Sequence, residues 1–163
     1  MKIHKKFIFI FFIIFSIKSA NQEDAVDSKF VVDERQVKGK AVVLVDDSLV
    51  KGNTMRRLAR KLRAAGAREI HLRIASPKII DSCYYGVDHK RHQLAARGHD
   101  SSVRSDDEIS RMVGVESLIY LSLPDMHRIA EESRGRQIGL CDACFSGLYP
   151  IPIDENLMLD KKR

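Results

Sequence analysis

Hydrophobic positions in the middle of the chain change from a continuous run to a helical repeat and then to an alternation. Residues 40–45 (KAVVLV) are almost all aliphatic, as expected for a strand buried on both faces of a parallel sheet. Residues 69–75 (EIHLRIA) alternate like a second strand. Residues 54–65 between them place apolar side chains on one face of a helix, at Met55, Leu58, Ala59, Leu62 and Ala65. The pattern predicts a strand–helix–strand unit, with Gly66 in the left-handed conformation after the helix.

The second half of the chain continues to alternate between helix and strand. A capping box at residues 105–108 predicts a helix that ends at Gly114. Residues 117–123 (SLIYLSL) are typical of a short strand, and Pro124 fits the first turn of a helix that extends to about residue 132. We therefore expect an α/β fold with a parallel sheet.

The two ends of the chain differ from this body. Residues 7–15 are apolar and follow lysines, and their length is typical of a signal-peptide core rather than of a membrane-spanning helix of ~20 residues. We interpret residues 1–20 as a secretory signal or membrane anchor. The alternative is an accidental leader, such as a mis-assigned start codon. We expect a linker over residues 21–38, the folded domain over 39–153 and a charged tail over 154–163.

The charge of the chain argues against a nucleic-acid partner. The 163 residues include 28 Lys and Arg and 22 Asp and Glu, a net charge of +6. Seven of those cations lie in the first twenty and last three residues, so the residues between carry 21 cations against 22 acidic groups. The body therefore has no excess of positive charge for a phosphate backbone.

The most informative segment follows the first predicted strand. Asp46 and Asp47 end that strand, and adjacent carboxylates there are costly unless they meet a cation or sugar hydroxyls. Gly52 permits backbone amides to approach an anion, and the helix that begins at Thr54 directs its positive end to the same place. This arrangement suits a phosphorylated ribose with Mg²⁺, whereas it matches neither the Walker A nor the dinucleotide-binding glycine pattern. The alternative is an acidic turn that caps the helix.

The chain has three cysteines, and an odd number excludes a framework made only of disulfides. Cys141 and Cys144 form a CxxC pair, which indicates metal, cluster or redox chemistry. The alternative is a pair of partly buried reduced thiols. The histidines of the polar region have no trusted metal-ligand spacing and are expected on the surface, at His89, His92 and His99.

The segment VVLVDDSLVKGNT resembles the phosphoribosyl-pyrophosphate (PRPP) signature of type I phosphoribosyltransferases. Three later blocks, HLRIASPKIIDSCYYGVDH, DDEISRMVGVESLIYLSL and GLCDACFSGLYP, resemble successive parts of the glutamine amidophosphoribosyltransferase family. The resemblance covers residues 36–153. It implies that the chain forms part of a type I phosphoribosyltransferase fold. It also implies that the protein is located in the cytoplasm. It also implies a glycosyltransferase lineage that makes 5-phosphoribosylamine from PRPP and glutamine in de novo purine biosynthesis.

The resemblance also assigns roles to individual residues. It implies that Asp46 and Asp47 face Mg²⁺ and the ribose hydroxyls of PRPP. Lys51 and Asn53 stand where the family usually has Arg and Thr, which changes the donors available to phosphate. The 5′-phosphate loop would comprise Ser48, Val50, Lys51, Gly52, Asn53 and Thr54. The cysteines match three of the four ligands of the family's [4Fe–4S] cluster, at Cys83, Cys141 and Cys144; the fourth would lie upstream, where this sequence has no cysteine.

Two parts of the family pattern do not occur in this sequence. The glutaminase domain begins with a nucleophilic cysteine, whereas residue 2 here is Lys2. The first half of the transferase domain has no match either. We therefore expect no catalytic nucleophile in this chain, and glutamine would be used only through a domain absent from it. Alternative functions are a non-catalytic PRPP-binding fragment, a half that needs a complementing chain or a second copy, or a secreted remnant without a ligand.

Overall fold

The described strands form one four-stranded sheet. The computed structural model describes residues 7–11, 32–87, 90–98, 100, 102–136 and 139–154. The strands follow one another across the sheet in sequence order. They are β1 (Phe7–Phe11), β2 (Ala41–Asp46), β3 (Glu69–Ile74) and β4 (Ser117–Tyr120). The fold is therefore α/β with a parallel sheet, as the sequence predicts.

Strand β1 lies within the segment that we interpreted as a leader. Its backbone pairs in parallel with β2, so that Phe7 lies opposite Ala41 and Phe11 opposite Val45. The rest of residues 1–20, most of the predicted linker and the charged tail after residue 154 lie outside the described residues, and the predicted domain boundaries stay a prediction. Within the part of the chain that the structure describes, no helix has the length and apolar character needed to cross a bilayer.

The helices after β2 and after β4 have end residues that the sequence indicates, whereas two short helices were not predicted: Glu34–Val37, within the predicted linker, and Ala143–Ser146. Pro124 occupies the first turn of the helix after β4, and the Ser122 side chain accepts a hydrogen bond from the Asp125 backbone N–H. The helix after β2 ends next to Gly66, whose φ of 83° is left-handed as predicted. The helices are α1 (Glu34–Val37), α2 (Asn53–Ala64), α3 (Asp106–Val113), α4 (Leu123–Arg134) and α5 (Ala143–Ser146).

The chain forms two compact units. The first comprises the described residues up to Asp47, with Gly52–Arg73 and Asp106–Ile119, and the second comprises Ser48–Lys51 and the described residues of 74–105 and from Tyr120 onwards. The first unit buries one face of α2, the alternate side chains of β3 and part of α3, among them Leu58, Leu62, Ile70, Leu72 and Ile109. The second unit has its own buried apolar residues, among them Leu49, Ile79, Leu94, Ala95 and Ala143.

Candidate functional site

Two carboxylates end strand β2, and their environments differ. Asp46 is 7% exposed, and one of its oxygens accepts a hydrogen bond of 3.0 Å from the Asp47 backbone N–H. Burial raises the pKa of Asp46 to about 6; the Asp47 N–H opposes this shift, and the Asp47 charge adds to it. Asp47 is exposed. A bound cation would offset the cost of ionising the Asp46 carboxyl.

The start of helix α2 leaves its backbone amides available. Gly52 is buried at the N-cap with a φ of 77°, and it has no side chain that could accept a hydrogen bond from the first-turn amides. The first turn also contains no acidic residue. Asn53 directs its side-chain oxygen to the Arg56 guanidinium at 3.0 Å. The positive end of the helix dipole and these amides therefore form an arrangement that favours an anion.

The residues between Asp47 and Gly52 belong to the second unit. Leu49 is 4% exposed, whereas Lys51 is exposed. The Val50 carbonyl accepts a hydrogen bond of 2.7 Å from the Ala95 backbone N–H. The sequence did not indicate this contact, because Ala95 is distant along the chain and has no chemical signature. We call residues 48–54 the candidate phosphate loop.

Backbone hydrogen bonds join Cys144 to the segment that leads to Cys83. The Cys144 carbonyl accepts hydrogen bonds from the backbone N–H groups of Ile80 and Asp81, at 2.8 and 3.0 Å, just before Cys83 in the chain. Burial raises the pKa of the Cys144 thiol, and the neighbouring Cys83, Cys141 and Asp142 charges also raise it. No disulfide joins the three cysteines, all of which are described.

These thiols do not by themselves complete a cluster site. Three cysteines are one short of the four that a [4Fe–4S] cluster takes. Across the described ranges, no group of three or more His, Cys, Asp or Glu side chains has the arrangement of a metal site.

Of the three histidines predicted to lie on the surface, the structure describes one. His92 is exposed as predicted, whereas His89 and His99 lie outside the described residues. His127 on α4 was not a sequence candidate, yet its Nε2 lies 2.9 Å from Oδ2 of Asp142, inside the CxxC pair. Periodicity could not reveal this contact, because it joins two elements that are separate in sequence.

Comparison with known proteins decides the family. Residues 3–116 match the model of the phosphoribosyl transferase domain. The chain belongs to the phosphoribosyl transferase domain family. That match includes both the paired aspartates and the candidate phosphate loop, and it begins within the predicted leader.

Individual relatives confirm the narrower resemblance. The amidophosphoribosyltransferase of Archaeoglobus fulgidus is 41% identical over 133 residues, which are 81% of this chain and 28% of that protein. The amidophosphoribosyltransferase of Bacillus subtilis is 39% identical over 142 residues, 86% of this chain and 29% of that protein. The solved glutamine PRPP amidotransferase from B. subtilis, complexed with ADP and GMP, has a TM-score of 0.63 and 35% identity, and it matches 85% of this chain and 30% of its own. The chain thus spans less than a third of the length of these relatives.

Proposed function

We propose that residues 46–54 bind the ribose 5-phosphate moiety of PRPP. The observation that carries the proposal is the order of features along the chain. A buried carboxylate at a strand end comes first, and an uncapped helix N-terminus with a left-handed glycine follows. Carboxylates accept hydrogen bonds from hydroxyl groups, and helix amides donate to phosphate oxygens. A sugar phosphate has both the hydroxyl groups that donate to carboxylates and the phosphate oxygens that accept from helix amides.

The carboxylates of Asp46 and Asp47 also supply the oxygen ligands that Mg²⁺ prefers. Mg²⁺ would neutralise charge on the pyrophosphate that leaves in a phosphoribosyl transfer. The raised pKa of Asp46 fits this role, because a cation would favour the ionised form that burial disfavours. Gly52 and Thr54 would contribute backbone amides to the phosphate, and Thr54 would add its hydroxyl.

For the longer enzyme that contains such a segment, we propose the amidophosphoribosyltransferase reaction. PRPP, glutamine and water become 5-phosphoribosylamine, glutamate and pyrophosphate; nitrogen from the glutamine amide forms the bond to C1 of the ribose as the bond to pyrophosphate breaks. The described residues of this chain would bind the phosphoribosyl group and Mg²⁺. None of these residues is proposed to hydrolyse glutamine. The need for a complementing chain or a second copy stays a prediction. The cytoplasmic location of the protein also stays a prediction.

A [4Fe–4S] cluster held in part by Cys83, Cys141 and Cys144 also stays a proposal. It is supported by the hydrogen bonds that join the Cys144 carbonyl to the segment just before Cys83, and by the CxxC spacing of Cys141 and Cys144. Iron analysis and visible absorbance of anaerobically prepared protein test it directly. We expect iron that is lost in Cys144→Ser, and an iron-free, colourless preparation would contradict the proposal.

Calorimetric titration of the full chain with PRPP in the presence and absence of Mg²⁺ tests the PRPP proposal. We expect saturable binding that needs Mg²⁺ and is lost in the Asp46→Asn/Asp47→Asn double variant. Asp106→Asn/Asp107→Asn is a matched control, because it neutralises another adjacent acidic pair, at the start of α3. Equal loss of binding in both double variants would mean that binding depends only on the net charge of the chain, and it would contradict the proposed site.

A further inference from the structure

A buried turn distant in sequence holds part of the candidate phosphate loop in the second unit. Leu94, Ala95 and Ala96, which we call the 94–96 turn, are 2%, 3% and 2% exposed. The Ala95 backbone N–H donates to the Val50 carbonyl at 2.7 Å. Because the turn is buried, water cannot readily replace this hydrogen bond if the turn moves.

Arg104 forms hydrogen bonds to the backbone carbonyls of the same turn. One of its guanidinium nitrogens donates to the Ala95 carbonyl at 2.8 Å, and its backbone N–H donates to the Ala96 carbonyl at 2.9 Å. Both backbone polar groups of Ala95 are therefore used, one by Arg104 and the other by Val50. Hydrogen bonds thus connect the Arg104 side chain to the loop through a single residue.

The geometry of the peptide group extends this connection to Lys51. The Val50 carbonyl and the Lys51 N–H belong to one planar trans peptide group, so they point in opposite directions. Holding the carbonyl against Ala95 therefore directs the Lys51 amide away from the 94–96 turn. No described residue accepts a hydrogen bond from that amide. It is a backbone donor with a fixed direction and no acceptor within the described structure.

We infer that Arg104 is a positioning residue for phosphate binding, acting through Ala95 and Val50 on the Lys51 amide. The inference rests on the proposed function, because it assigns the Lys51 amide to the phosphate of the phosphoribosyl ligand. Arg104 acts without touching the ligand. A preorganised loop loses less conformational entropy when the ligand binds, so loosening it weakens binding.

Arg104→Met tests the inference because it removes the guanidinium donor and keeps an unbranched apolar side chain. Arg73→Met is the matched control, since Arg73 is also half-buried and donates to a backbone carbonyl, that of Leu72, at 2.8 Å. Hydrogen exchange of the Ala95 amide, which donates to the Val50 carbonyl, is measured without ligand, and the Kd for Mg²⁺–PRPP is measured by calorimetry. We expect faster exchange of the Ala95 amide and binding weakened about tenfold in Arg104→Met, the effect of one lost buried hydrogen bond. Arg104→Lys restores part of both, and Arg73→Met changes neither.

The outcomes separate the inference from the proposed function. Unchanged Ala95 exchange and unchanged Kd in folded Arg104→Met would overturn the inference while PRPP binding by the wild-type chain stands. No binding by the wild-type chain, with Ala95 exchange that still depends on Arg104, would contradict the proposed function and support only the ordering of the loop. If Arg104→Met does not fold, Arg104→Lys decides: faster Ala95 exchange than in the wild type supports the inference, and exchange equal to wild type refutes it.

Discussion

Neutralising Asp46 should stabilise the protein while it abolishes ligand binding. The pKa of this buried carboxyl is raised from 3.8 to about 6, so the folded state at neutral pH bears the cost of a charge that the unfolded chain solvates freely. A shift of that size corresponds to about 3 kcal/mol, and partial screening by water at the strand end reduces our expectation to about 2 kcal/mol. In Asp46→Asn, the side-chain oxygen still accepts from the Asp47 N–H, so the local hydrogen bond is kept.

The pH dependence gives this prediction its sign. Between about pH 4 and pH 6 the folded protein holds a proton at Asp46 that the unfolded chain has lost, so wild-type stability falls as the pH rises through this window. Above about pH 6, the full free-energy cost of burying the ionised Asp46 carboxylate is present. Urea denaturation should therefore show Asp46→Asn to be more stable than wild type at pH 7.5 and equal to it at pH 3.5. The same titration predicts that Mg²⁺–PRPP binding weakens as the pH falls below about 6.

Asp107→Asn is the control for this experiment, because Asp107 is exposed on α3 and should change stability by only a few tenths of a kcal/mol. A lower stability of Asp46→Asn at pH 7.5 would refute the reasoning. A gain that does not vary with pH would refute it as well, since it would come from something other than the charge.

Three further changes test the fold around the site. Leu58→Ala, at a side chain with 0% exposure, should cost about 2–5 kcal/mol in urea denaturation, and a cost below 1 kcal/mol would contradict the core described for α2. Glu116→Gln should cost less than about 1 kcal/mol at neutral pH, because water screens this exposed carboxyl: burial raises the pKa of Glu116, but hydrogen bonds from the Ile70 N–H and Arg63 outweigh it, so the net pKa is lowered and the benefit disappears in acid. Gly52→Ala should cost about 1 kcal/mol and weaken PRPP binding, because φ is 77° there; unchanged stability would show that the loop adopts another conformation.

The parts of the fold that were predicted correctly are those with local signals, namely side-chain patterns and helix-end residues. Strand β2, helix α2 and strand β3 lie within one residue of their predicted bounds, because burial pattern and end signals agree there. Strand β1 was not predicted as a strand. A short apolar run has no period that separates a signal-peptide core from a buried strand, and its pairing with β2 is a non-local contact.

The candidate site divides in the same way. The order of carboxylates, glycine and helix start is local, so the sequence alone indicated Asp46 and Gly52. The burial that shifts the pKa of Asp46 is a property of the folded structure and has no local signal in the sequence. The contact of Ala95 with Val50 and that of His127 with Asp142 likewise join distant segments through a backbone amide or a common side chain, for which spacing gives no signal.

The most direct test of the account is an amide chemical-shift titration of the ¹⁵N-labelled chain with Mg²⁺–PRPP. Phosphate that accepts hydrogen bonds from backbone amides shifts those amide protons strongly. The account predicts that the largest shifts occur at Lys51, Gly52 and Thr54, and that they disappear in Asp46→Asn/Asp47→Asn. Largest shifts in another part of the chain, or none from a folded protein at saturating ligand, would contradict the claim that residues 46–54 hold the phosphoribosyl group.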